Sequence, residues 1–137
     1  TRFGAERAIL LVRSPLDCIT SLFNMVCSGS HALSIADQDF LAFNKYWNEF
    51  IEQEITVWKD FHDFWLKAKI PVHLIRYEDI LQRPVESMTD LMKFIFNVES
   101  IQDSLLSQYI ELASVERAPE IYKPRKGKVH GNSEKFN

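Results

Sequence analysis

The first clear pattern in the chain is a short continuous apolar run, Ala8-Ile9-Leu10-Leu11-Val12. A run of that length, rich in aliphatic residues, predicts a strand buried on both faces. Ser14-Pro15 then predicts a helix start, with Ser14 as N-cap, Pro15 at the first helical position and Asp17 where a capping acid belongs. Leu16, Ile19, Leu22, Phe23 and Val26 continue at helical spacing, and Ser28-Gly29-Ser30 ends the helix. From Asp37 to about Ala68 the pattern predicts one long helix. Phe40, Phe43, Trp47, Phe50, Trp58, Phe61 and Trp65 recur three, four or a multiple of residues apart, with charged residues between them and no Pro or Gly. Ile70-Pro71 breaks it, and Val72–Tyr77 predicts a second strand. A third helix follows Pro84, with Met88, Leu91, Met92, Ile95 and Phe96 on its apolar face. A fourth runs from about Ile101 to Arg117, with Leu105, Leu106, Tyr109, Ile110 and Ala113 inward. After that, residues 118–137 lose all periodicity and carry Pro124, Gly127 and Gly131, which predicts an irregular tail.

This order of strands and helices is that of an α/β fold. Two strands joined through helices are most simply parallel neighbours in a right-handed crossover. Two strands make a thin sheet, so further strands are expected upstream of residue 1. The expected architecture is a short parallel sheet flanked by helices, incomplete at its N-terminus.

Composition narrows the class. The chain of 137 residues is 46% hydrophobic and 26% charged, which excludes a disordered segment and fits one folded domain. A net charge of −3 gives no reason to expect nucleic acid or an anionic membrane as partner. No apolar run reaches the length of a membrane span, and Thr-Arg-Phe-Gly-Ala-Glu-Arg has neither an initiator Met nor the layout of a signal peptide. The expectation is a fragment. Cys18 and Cys27 lack metal or redox spacing and read as reduced, mostly buried thiols, which favours the cytoplasm and leaves the Golgi lumen open. Positive charge concentrates at the end: Arg117, Lys123, Arg125, Lys126, Lys128 and Lys135 against Glu120 and Glu134. Such a tail is either a solvated end or a lid that closes on an anion.

The first constellation with chemistry is Arg13-Ser14-Pro15-Leu16-Asp17-Cys18-Ile19-Thr20-Ser21. In an open α/β sheet, ligands bind beyond the carboxyl ends of the strands, where Arg13 is expected. A guanidinium suits a phosphate bound through two oxygens, and the helix start adds backbone N–H groups. Asp17 and Ser21 are four apart, so they share a helix face and Ser21 can offer a hydroxyl along it. The plainer alternative is an arginine paired with Asp17 and a serine that is merely small. Taken by itself, Tyr77 reads as a half-buried tyrosine, with Asp79 capping the next short helix.

Arg-x-Pro-x-Asp-x-x-x-Ser directly after a strand resembles the 3'-phosphate motif of sulfotransferases that use 3'-phosphoadenosine-5'-phosphosulfate. The resemblance implies that Arg13 and Ser21 hold the donor's 3'-phosphate. Ile75-Arg76-Tyr77-Glu78-Asp79-Ile80 resembles the family's Tyr-Glu-Asp element, which implies that Tyr77 contacts the adenine. Arg125-Lys126-Gly127 resembles the segment that closes over the 3'-phosphate, where two cations and a glycine that admits close backbone approach form a clamp. The copy departs from the pattern: Gly131 comes four residues after Gly127, followed by Asn132-Ser133 and, later, the aromatic Phe136. Ala113-Ser114-Val115-Glu116 resembles the stretch that helps hold the adenine, which assigns that role to Ser114.

Taken over nearly the whole chain, the resemblance implies the C-terminal portion of a single sulfotransferase domain with a partial P-loop-like fold. It implies transfer of a sulfuryl group to a hydroxyl or amine acceptor, with the nucleotide as co-substrate and no metal. The 5'-phosphosulfate loop and the catalytic base have no counterpart here, so no catalytic residue is assigned and the chain alone is expected to be inactive. Two rivals stay open: a P-loop kinase-like phosphotransferase, and a non-catalytic helical module that docks through an exposed aromatic stripe. His31, His62, His73 and His130 lack metal-ligand spacing and read as surface or packed histidines. The acceptor and the oligomeric state are not encoded in any motif found.

Overall fold

The computed structural model describes residues 4–30 and 33–114. The expected tail, with Arg125, Lys126 and Gly127, lies outside the described residues. Eight elements follow one another: β1 (Ala8–Val12), α1 (Pro15–Ser28), α2 (Asp37–Ala42), α3 (Asn44–Leu66), β2 (Val72–Arg76), α4 (Tyr77–Gln82), α5 (Pro84–Phe96) and α6 (Leu105–Ser114). The fold is α/β, with a two-stranded parallel sheet flanked by helices. The described residues divide into two units, one holding 4–12 with 70–114, the other 13–69.

In the first unit β1 and β2 pair in parallel from Ala8↔Val72 to Val12↔Arg76. This is the predicted pairing, and it leaves the two strands ending level. Alternation and register put Ile9, Leu11, His73 and Ile75 on one face. α5 covers the β2 side of that face: the His73 ring stacks on Phe94 at 5.1 Å, and Ile75 is buried. Phe94 is held in turn by Arg7, whose guanidinium lies 5.5 Å from the ring centroid and donates through Nη1 to the Phe94 carbonyl at 2.7 Å. Burial of β1 on both faces is not found. Leu10 is buried, but Ile9 and Leu11 are about half exposed.

The second unit is built on rings. Phe23 of α1 is fully buried, with Phe40, Trp47 and Phe50 at centroid distances of 5.4, 4.9 and 5.3 Å. Ile19, Ile35 and Ile51 pack on the same cluster. Two corrections arise here. The expected single helix from Asp37 is two: Phe43 leaves the helical region (φ −100°, ψ 21°), and α3 starts afresh at Asn44, whose side-chain oxygen accepts from Asn48 Nδ2 at 2.9 Å. The helical period of the aromatic residues also implies that the long helix buries most of its Phe and Trp side chains, and it does not. Phe40 and Trp47 are buried, Phe50, Trp58 and Trp65 are partly covered, and Phe43, Phe61 and Phe64 are exposed.

Helix termini follow the sequence in part. α1 begins at Pro15 and ends with Gly29 at φ 65°, whose N–H donates to Met25 O at 2.8 Å. That left-handed position suits glycine, as expected. Ser14 is the N-cap residue by position, but its side chain makes no cap hydrogen bond, and Asp17 is buried instead of exposed at the helix start. The fourth predicted helix starts at Leu105, not Ile101. Asp103 takes φ 59°, and the Ser104 hydroxyl accepts from Ser107 N at 3.2 Å, a side-chain N-cap that fixes the start. Residues 115–117 of that prediction lie outside the described residues. The thiols are also less covered than expected, Cys18 being half-buried and Cys27 exposed.

Candidate functional site

The site is built from chain continuity outward. Val12 and Arg76 are register partners at the carboxyl ends of the strands. Arg13 follows the first and Tyr77 the second. Each strand passes almost directly into a helix: Pro15 opens α1 after two residues, and Tyr77 is itself the first residue of α4. Tyr77 was expected as the last residue of the strand, so the strand ends one residue early.

Within the second unit, Arg13 is half-buried and its Nε is closed to solvent. The Arg13 carbonyl accepts a long contact from the Cys18 thiol at 3.9 Å, while the first helical bond runs from Cys18 N to Ser14 O at 3.0 Å. Ser21 is exposed on α1. Asp17 and Ser21, four apart within α1, are neighbours on its surface as expected but differ in burial, Asp17 being 1% exposed. The buried polar stripe of α1 is Asp17, Thr20 and Asn24, and Ser21 lies on its outer flank. Asn24 Oδ1 accepts from Ile35 N at 3.0 Å, tying the segment after α1 to the helix. Thr20 Oγ1 is buried with no hydrogen-bond partner among the described residues. These two side chains escaped the sequence reading, although polar residues three and four apart, interleaved with Ile19 and Phe23, were the available signal.

In the first unit Tyr77 is half-buried. Glu78 is buried, 3.9 Å from Arg76 Nε. Asp79 does not cap α4: it lies inside the first turn and pairs with Arg83 Nη2 at 3.3 Å. Arg83 also reaches Glu86 Oε1 at 2.9 Å. Both carboxylates hold the guanidinium in its charged form and push its pKa up from an already high value, the hydrogen bond to Asp79 first. A polar cavity of about 160 Å³ lies here against β2, lined by Arg76, Asp79 and Arg83 among others, and Tyr77 is not among its walls. Ser114 closes α6 and donates its hydroxyl proton to Ile110 O at 2.7 Å, which leaves the oxygen able to accept from a ligand N–H. No helix among the described residues is long and apolar enough to cross a membrane.

The arrangement can do one thing readily. A half-buried guanidinium at a strand end, the N-terminal turn of α1 and an exposed hydroxyl further along that helix are groups of a kind that can face an anion. The family model described as "Sulfotransferase domain" matches residues 5–128. A WSCD family member of Aedes aegypti is 27% identical over 90 residues, covering 65% of this chain and 28% of the relative. A second WSCD family member, from Drosophila melanogaster, is 24% identical over 105 residues, covering 74% of this chain and 33% of the relative. The chain thus spans about a third of the length of these relatives. No solved structure matches.

Proposed function

Because this chain belongs to the sulfotransferase domain family, we propose that it supplies the 3'-phosphate and adenine side of a site for 3'-phosphoadenosine-5'-phosphosulfate. The observation that carries the reading is α1 itself: Arg13 enters it half-buried, and Ser21 stands exposed on it. Arg13 and Ser21 would hold the 3'-phosphate, and Tyr77 and Ser114 the adenine. Arg125, Lys126 and Gly127 would close on the phosphate from the tail. The whole protein would transfer the sulfuryl group to a hydroxyl or amine. In that step the acceptor's lone pair forms a bond to sulfur, the sulfur–oxygen bond to the donor phosphate breaks, and the acceptor's proton passes to a base outside residues 1–137. Donor groups fixed in place would steady the charge on the departing phosphate. The donor is a substrate consumed each turnover.

The test is calorimetric titration of the complete protein with adenosine-3',5'-bisphosphate and with adenosine-5'-monophosphate. The bisphosphate should bind more tightly, because only it carries the group that Arg13 and Ser21 address. Arg13→Ala should weaken bisphosphate binding by about 2 kcal/mol, roughly thirtyfold, the cost of removing a charge-assisted partner from a partly desolvated phosphate. Monophosphate binding should change little. Lys128→Ala, outside the Arg125–Gly127 tripeptide, should leave both unchanged. Equal affinities for the two nucleotides, unaltered by Arg13→Ala, refute the reading.

A further inference from the structure

The unit of residues 13–69 contains a groove between α1 and α3 of about 230 Å³. Its walls are apolar: Ile19 and Leu22 from α1, Val57, Trp58 and Phe61 from α3, with the Cys18 thiol at one side. Glu54 lines it too. Glu54 is a half-buried residue and makes no salt bridge among the described residues, unlike its neighbours Glu49, Asp60 and Asp63 on the same helix, each of which pairs with a lysine. His62 completes the wall. Its Nδ1 lies 2.6 Å from the Trp58 carbonyl, which can only accept, so Nδ1 carries the proton. His62 Nε2 is closed to solvent and without a partner among the described residues. Trp58 Nε1–H is likewise closed to solvent.

We propose that this groove binds an amphiphilic ammonium, a single ring or short alkyl chain bearing a protonated amine. The occupant's size follows from the volume: a cavity of about 150 Å³ holds one benzene ring, so this one admits a ring with a short arm. The sign of its charge follows from Glu54, the acidic side chain in an otherwise apolar lining, and from the Trp58 and Phe61 rings, since aromatic faces attract cations. An anion finds no cationic side chain in the lining. An ammonium nitrogen has no lone pair, so the group is a recognition handle and not a nucleophile. This inference does not rest on the donor reading; it concerns a different set of side chains and is tested without the nucleotide.

The experiment follows alkylation of Cys18 by N-ethylmaleimide in the intact protein, resolved by mass spectrometry. Exposed Cys27, which does not line the groove, is the internal reference. The probes are 2-phenylethylammonium, neutral 2-phenylethanol and anionic phenylacetate. The ammonium should slow Cys18 alkylation several-fold and leave Cys27 unchanged. Its half-protecting concentration should be roughly tenfold below that of the alcohol, the effect of one charge-assisted contact. Phenylacetate should not protect. Glu54→Gln should abolish the preference for ammonium over alcohol. If Cys18 reacts too slowly to follow, the Trp58 indole N–H shift in a ¹H–¹⁵N spectrum reports the same titrations. The proposal is overturned if amine and alcohol bind equally, if the amine does not bind, or if its preference survives in Glu54→Gln.

Discussion

Phe23→Ala is the substitution whose cost can be worked most directly from the packing. Phe23 is 0% exposed, and four rings stand around it: Trp47 at 4.9 Å, Phe50 at 5.3 Å, Phe40 at 5.4 Å and Tyr46 at 5.6 Å. Buried Phe→Ala changes cost about 3–5 kcal/mol, through lost transfer energy and the cavity left behind. Ring pairs in tilted and edge-on geometry add about 0.5–1.5 kcal/mol each beyond their area. The four rings come from two helices, α2 and α3, that cannot both collapse into the space, so the expected loss lies at the upper end, about 4–5 kcal/mol. For a chain of this length that is a fall in Tm of roughly 15 °C. Urea denaturation followed by circular dichroism should show a lower midpoint with an unchanged slope, the sign of lost stability and not of an altered denatured state. Phe64→Ala is the control. Phe64 is 68% exposed, and its loss should stay within about 0.5 kcal/mol. A Phe23→Ala loss below about 1.5 kcal/mol, or an equal loss for Phe64→Ala, refutes the assignment of the aromatic cluster as the core of this unit.

Two further predictions rest on polar groups. Asn24→Ala removes the acceptor of the Ile35 N–H, so stability should fall by about 1–3 kcal/mol and amide exchange at Ile35 should quicken, while Asn48→Ala, on an exposed pair, changes neither by a measurable amount. The Asp63 carboxyl is held below the usual carboxylate range, first by its hydrogen bond from Lys59 and then by the charges of Lys59 and Lys67. A depressed folded-state value means that its contribution is present above the unfolded carboxylate value and is lost as pH falls through the lower folded one. A ¹³C titration of the Asp63 carboxyl should show that depression at low salt and its shrinkage in 1 M salt, because the group is exposed and screened; a salt-independent midpoint would contradict the cause given.

How much was legible depended on whether a residue's fate is decided locally. β1, Pro15 at the start of α1 and Gly29 at its end are set by short-range chemistry, and all three stand where the pattern put them. The parallel pairing followed from chain order. The break at Phe43 was illegible, because no Pro or Gly marks it and the helical periodicity runs through it. The start of α6 hung on Asp103 adopting a left-handed conformation, which aspartate does only occasionally. Period alone also overstated burial along α3. It identifies the stripe containing Phe61 and Trp65, but not whether a neighbour covers it, and Phe61 is 54% exposed. In the candidate site, Arg13 and Ser21 are proposed from motif spacing, whereas Thr20 and Asn24 were passed over because polar side chains on a helix read by default as solvent-facing.

The connectivity has a consequence for how the chain acquires its structure. β1 and β2 share every register pair from Ala8 to Val12, yet all of α1, α2 and α3 is threaded between them. Sheet pairing is therefore a long-range event, and closing a flexible loop grows costlier by about 0.6 kcal/mol for each doubling of its length. The intervening stretch is itself one continuous unit, whose contacts among Phe23, Phe40 and Trp47 are near in sequence. Early condensation of those helices would shorten the effective tether before the strands meet. Refolding would then proceed in two stages, with helical signal recovered ahead of strand pairing. The rate of the second stage would be sensitive to substitutions in the aromatic cluster, far along the chain from either strand.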